Sequence, residues 1–137
     1  MRSQPLSVVV TRRLPERVEA RLSELFGAEL REGDAPLTRE ALIRAGREAD
    51  VLVPTITDRI DAEMLDAMGD RLKLIANYGA GVDHIDVQAA RQRGIMVTNT
   101  PGVSADDTAD MTLALILGVA RRLPEGMTTM QEGNWGG

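Results

Sequence analysis

The stretch Asn77-Tyr78-Gly79-Ala80-Gly81-Val82-Asp83 holds the residues best suited to chemistry. Gly79 and Gly81 flank Ala80, and residues without side chains let a backbone turn sharply and approach a ligand closely. Successive N–H groups in such a turn can form an anion nest with no cationic side chain. A plain strand-to-helix turn would need the same glycines, and spacing does not separate the two readings. His84, the only histidine, is of the type that a carbonyl-reducing enzyme uses as an acid near neutral pH. Asp83 and Asp86 resemble a carboxylate pair, although a helix cap accounts for Asp86 more simply.

The elements around this loop follow from the apolar pattern. Leu6 to Val10 is a short β-branched run ending at Thr11, as in a strand buried on both faces. Pro15 stands where a first helical residue should be, Val18, Leu22, Leu25 and Phe26 follow at helical spacing, and Gly27 closes that helix. Ala28 to Leu30 is expected as a second, short strand. Thr38 caps a helix carrying Leu42, Ile43 and Ala49, which Gly46 weakens. Val51-Leu52-Val53 is a third strand broken by Pro54. Asp61 caps a helix with Met64, Leu65 and Met68 inward and Gly69 as its stop. Leu72 to Ala76 is the fourth strand, Asp86 to Arg93 a short helix closed by Gly94, and Ile95 to Thr98 the fifth strand. This cadence predicts an α/β fold: a flavodoxin-like parallel sheet of about five strands with helices on both faces. Ligands of such sheets bind beyond the carboxyl ends of the strands, where the 77–83 loop lies.

The last element differs. Ser104 and Asp107 have the spacing of a capping box. The helix after them is apolar nearly all round from Ala109 to Ala120, through Met111, Leu113, Leu115, Ile116, Leu117 and Val119. Such a helix expects burial on all sides, hence a second body. Asp106 and Asp107 suit its first turn and Arg121 and Arg122 its last, and Pro124 should stop it. The tail to Trp135-Gly136-Gly137 shows no closing element and reads as cut, with Trp135 expected over an apolar seam.

Composition bounds the partners. With 137 residues, 43% apolar and 27% charged, the chain suits one compact domain. A net charge of −5, with one Trp, one Tyr and one Phe for stacking, argues against nucleic acid. No cysteine is present, which excludes disulfides and thiolate metal sites and fits the cytoplasm. No run approaches the roughly 18 apolar residues of a membrane span, so no membrane association is expected, and no metal site.

Three segments resemble one family. Asn77 to Asp86 is similar to the substrate loop of the D-isomer-specific 2-hydroxyacid dehydrogenases. Val97 to Asp110 is similar to that family's crossover into its dinucleotide domain, and Val51 to Leu65 to its glyoxylate and hydroxypyruvate reductase branch. The order and spacing are the family's, over essentially the whole chain. The resemblance implies that the backbone of Ala80 and Gly81 holds the carboxylate of a 2-oxo or 2-hydroxy acid. It implies that Tyr78 and Gly79 shape that loop and that Leu52 and Val53 lie near the substrate. Thr108 matches a position that approaches the cofactor, NAD or NADP. The helix 105–123 matches the interdomain helix, with a substrate-binding domain over 1–100 and the start of the dinucleotide domain over 101–137. Asp110 stands where glutamate is more usual, and Ser104-Ala105-Asp106 is smaller and more polar than in many relatives.

The family's catalytic arginine, glutamate and histidine would all fall after Gly137, and no G-x-G-x-x-G occurs in this sequence. His84 lies in the loop signature and is therefore expected in a structural or solvent-facing role. The chain is expected to be the substrate-binding part of an NAD(P)-dependent oxidoreductase, inactive alone, without catalytic residues of its own, and self-associating through the helix 105–123, for instance as a homodimer. The alternative is a non-catalytic anion-binding or interaction module of the same fold. A phosphoacceptor receiver or a flavodoxin fails on its residues: Thr11-Arg12 and Pro54-Thr55 stand where a receiver needs acids, and Arg12-Arg13-Leu14-Pro15 is no phosphate loop.

Overall fold

The computed structural model describes residues 6–134 and 136, so Trp135 lies outside the described residues. The chain divides into two compact units, Met1–Pro101 and Gly102–Gly137.

The first unit is built on a parallel sheet in the order β1-β2-β3-β4, with β1 Val8–Val10, β2 Val51–Val53, β3 Leu74–Ala76 and β4 Met96–Thr98. The sheet therefore has four strands where about five were expected. Ala28–Leu30 fails as a strand because only Glu29 pairs, in a single parallel bridge to Val9. Its amide donates to Val8 O at 2.8 Å and its carbonyl accepts from Val10 N at 3.0 Å. β1 also pairs with β2, so Glu29 lies on its other edge. The chain thus steps outward from β1 and returns across it to β2, the reversal that opens a crevice at the strand ends of doubly wound sheets.

Alternation sorts the strand residues onto two faces. Val9, Leu52, Ile75 and Val97 pack under α2 (Arg39–Glu48), α3 (Ala62–Met68) and α4 (Val87–Gln92), through Leu42, Met64, Leu65, Met68, Ala89 and Ala90. Val8, Val10, Val53 and Ala76 pack on the other face with Val18 and Leu22 of α1 (Glu16–Phe26). Leu25 and Phe26 of α1 share its helical period but are half-exposed, 51% and 47%, so α1 buries a narrower stripe than its sequence suggests. The helix ends follow their residue types: Thr38, Asp61 and Asp86 accept from Ala41 N, Met64 N and Ala89 N, and Gly27 closes α1 in the left-handed conformation.

The second unit holds two consecutive helices, α5 (Ala105–Ala120) and α6 (Leu123–Gln131). The single helix expected over 105–123 ends three residues early, at a break where Arg122 takes φ 51. Pro124 does not stop a helix but starts α6, since a proline in a first turn costs no hydrogen bond. The capping box is also absent: Ser104 makes no side-chain cap bond, and its carbonyl instead accepts from the Thr108 amide and hydroxyl. No residue of α5 or α6 is buried. Among the described residues no helix is long and apolar enough to cross a membrane.

Candidate functional site

Beyond the carboxyl ends of β1, β2 and β3 three short segments meet. Thr11 ends β1 with its amide on Val53 O (3.1 Å) and its hydroxyl on Asp58 Oδ2 (2.6 Å). Asp58 is 2% exposed and closes the turn after β2: its Oδ2 accepts from Thr55 N (2.8 Å) and its amide donates to Thr55 O (3.0 Å). Arg12 pins the same turn through Thr57 Oγ1 (2.9 Å) while paired with Asp34. The turn presents Ile56, 66% exposed, toward the next loop. A Cβ built on Gly79 would stand 2.8 Å from Ile56 Cγ2.

That next loop comes after β3. Tyr78 joins it to the β2 end by donating to Pro54 O at 2.8 Å. Gly79, Ala80 and Gly81 all have their carbonyls occupied. Gly79 O accepts from Asn77 Nδ2 (3.1 Å) and Thr100 N (3.0 Å), Ala80 O from Asn99 Nδ2 (2.7 Å), and Gly81 O from Asn77 Nδ2 (2.9 Å). The amides of Gly79, Ala80, Gly81 and Val82 donate to no acceptor among the described residues. Ala80 and Gly81 are exposed, so the loop shows a row of free donors to solvent.

The glycines serve reasons other than the turn conformation expected of them. Neither has a positive φ. Gly79 makes room for Ile56, and a Cβ on Gly81 would meet nothing nearer than Asp83 Oδ2 at 3.7 Å, so its missing side chain leaves the amides uncovered.

His84 is half-buried, with Nε2 3.0 Å from Asn77 Oδ1. Burial lowers its pKa, opposed by the nearby charges of Asp58 and Asp83. The folded chain thus prefers the neutral ring. A pKa depressed below the unfolded 6.5 contributes stability that is present above that pH and lost as pH falls through the folded pKa. We expect thermal melts to show stability declining below about pH 6.5, and His84→Gln to remove that part of the slope. An unchanged slope would assign it to carboxylates.

Leu52 and Val53, expected near the substrate, are 0% and 6% exposed and spend their side chains on opposite faces of the core. Ile56, exposed beside the 79–82 loop, carries no signal in the sequence, because a β-branched residue in a turn signals nothing by spacing. Thr108 lies exposed on α5 in the second unit, its hydroxyl donated to Ser104 O at 2.7 Å.

Comparison with known proteins gives the chain's family. Residues 8–132 match the family described as D-isomer specific 2-hydroxyacid dehydrogenase, catalytic domain. A glyoxylate reductase of Korarchaeum cryptofilum is 42% identical over 128 residues, covering 93% of this chain and 38% of that protein. The chain thus spans well under half the length of such relatives. A crystal structure of a Thermus thermophilus protein superposes with a TM-score of 0.81 at 47% identity, covering 96% of this chain and 42% of that one. An NAD+-bound 3-phosphoglycerate dehydrogenase of Entamoeba histolytica does so with 0.67 at 28% identity, covering 84% and 39%. The chain therefore belongs to the D-isomer specific 2-hydroxyacid dehydrogenase family, matching its catalytic domain.

Proposed function

We propose that this chain is the substrate-binding part of an NAD(P)-dependent oxidoreductase interconverting 2-oxo acids and D-2-hydroxy acids, of the glyoxylate or hydroxypyruvate type. The observation that carries this is the 79–82 loop, whose carbonyls at 79, 80 and 81 are all engaged while its amides are all free. Free amides at a strand-end crevice suit a carboxylate, because charge-assisted bonds to backbone N–H are among the stronger ones available and need no cation. Ile56 and Tyr78, both exposed beside the loop, would limit the size of the group attached to the carbonyl carbon.

Uptake of the acid by the 137-residue chain tests the reading. Glyoxylate added to the 15N-labelled protein should shift the amides of 80–82 saturably, whereas glycolaldehyde, lacking the carboxylate, should not. Equal shifts with both, or none with glyoxylate, would sink the carboxylate reading.

The chain on its own is proposed to be inactive. Its one histidine is tied to Asn77 through Nε2. NADH or NADPH consumed by the purified chain with glyoxylate would overturn this. The enzyme it belongs to is proposed to act in the cytoplasm with NAD or NADP, in keeping with the NAD+-bound relative. The apolar residues of α5, from Met111 (60% exposed) to Val119 (78%), are proposed to be covered by a second copy. A dimer by light scattering at micromolar concentration is the expected result, and a monomer would refute it.

A further inference from the structure

The loop's free amides are held outward by something beneath them, and that something is Asn77. It is 2% exposed, and all of its side-chain polar atoms are used. Nδ2 donates to Gly79 O and Gly81 O, and Oδ1 faces His84 Nε2. A trans peptide is planar with its C=O and the following N–H pointing opposite ways. Gripping the carbonyls of Gly79 and Gly81 therefore turns the amides of Ala80 and Val82 away from Asn77. Asn99, by gripping Ala80 O, does the same for the Gly81 amide.

Resting on the carboxylate reading above, we propose that Asn77, backed by His84, is the positioning residue of the anion loop and sets its affinity without touching the ligand. Asparagine suits the place for a countable reason. Two donors on one nitrogen reach alternate carbonyls, and one acceptor is left for the ring behind. Aspartate keeps the acceptor and loses both donors, and a hydroxyl offers a single donor. The same geometry determines the ring's tautomer: Oδ1 can only accept, so Nε2 carries a proton.

The test uses the 15N-labelled chain, whose single histidine makes the ring signal unambiguous. A water-protected Nε2 proton is expected in the wild type and lost in Asn77→Ala. In Asn77→Asp the amides of 80–82 should move while those of the buried strand residues Leu52 and Ile75 stay, and glyoxylate should bind about tenfold more weakly, the worth of two uncharged hydrogen bonds. Unmoved loop amides with unchanged glyoxylate affinity would overturn the proposal. Should Asn77→Asp fail to fold, the His84 pair decides. His84→Gln, which still offers a donor to Oδ1, should retain affinity, and His84→Phe should lower it, while equal affinity in both would overturn the proposal. A wild-type chain that ignores glyoxylate would refute the carboxylate reading, and the loop amides of Asn77→Asp would still judge the clamp.

Discussion

Valine at position 46 is expected to lower the melting temperature by on the order of 15 °C, about 3 kcal/mol for a unit of this size. Gly46 sits in α2, where a glycine ordinarily costs a helix about 1 kcal/mol relative to alanine. Its place is dictated by α3. A Cβ there would stand 2.5 Å from both Cγ and Sδ of Met68 and 3.1 Å from its Cε. Three atoms of one side chain are in the way, so rotating the tip of Met68 cannot clear the space. Met68 is 1% exposed and has nowhere to go. Alanine gains helix propensity against the same clash and should cost less, about 1 kcal/mol. Shortening the obstacle in Gly46→Val/Met68→Ala should recover part of the loss. A Gly46→Val variant melting within 2 °C of wild type, followed by circular dichroism, would mean that α2 and α3 do not pack as described.

Gly81→Val is expected to leave the fold almost untouched and to weaken glyoxylate binding by on the order of a hundredfold, or about 2.7 kcal/mol. The two effects separate for a stated reason. Gly81 has no positive φ, and its added Cβ would find Asp83 Oδ2 at 3.7 Å and nothing closer, so the backbone tolerates the branch. The same open space is the approach to the Ala80, Gly81 and Val82 amides, and a branched side chain would stand in it. Calorimetric titration with glyoxylate beside a thermal melt checks both halves. Undiminished affinity would place the carboxylate elsewhere, and a collapsed melting temperature would show that Gly81 is needed for folding instead.

Much of the fold was legible because its signals are local. The apolar runs at Val8–Val10 and Val51–Val53 and the caps at Thr38, Asp61 and Asp86 depend on neighbours in sequence, and each formed its element. Ala28–Leu30 has the composition of a strand but finds a partner only at Glu29, and pairing is not written in a segment's own residues. Arg121 and Arg122 look like a favourable helix end, but only Arg121 stands at the C-cap of α5, while Arg122 is the N-cap of α6. Pro124 then lies in the first turn of a new helix, because proline at a helix start and proline after a helix end are the same residue in one dimension.

The site divides along the same line. By itself the sequence determined that a glycine-bearing loop follows a buried strand and that its neighbours resemble a 2-hydroxyacid dehydrogenase, since residue types and short spacings carry both. Only the tertiary structure decided what each glycine is for. Ile56, contributed by the turn after a different strand, makes Gly79 necessary, and open space makes Gly81 useful. The tertiary structure also decided that Leu52 and Val53 belong to the core and that Asn77 and Asn99 hold the loop's carbonyls. The physical reason is that a hydrogen-bond partner is chosen by position in space, and Asn99 reaches Ala80 across 19 residues of chain.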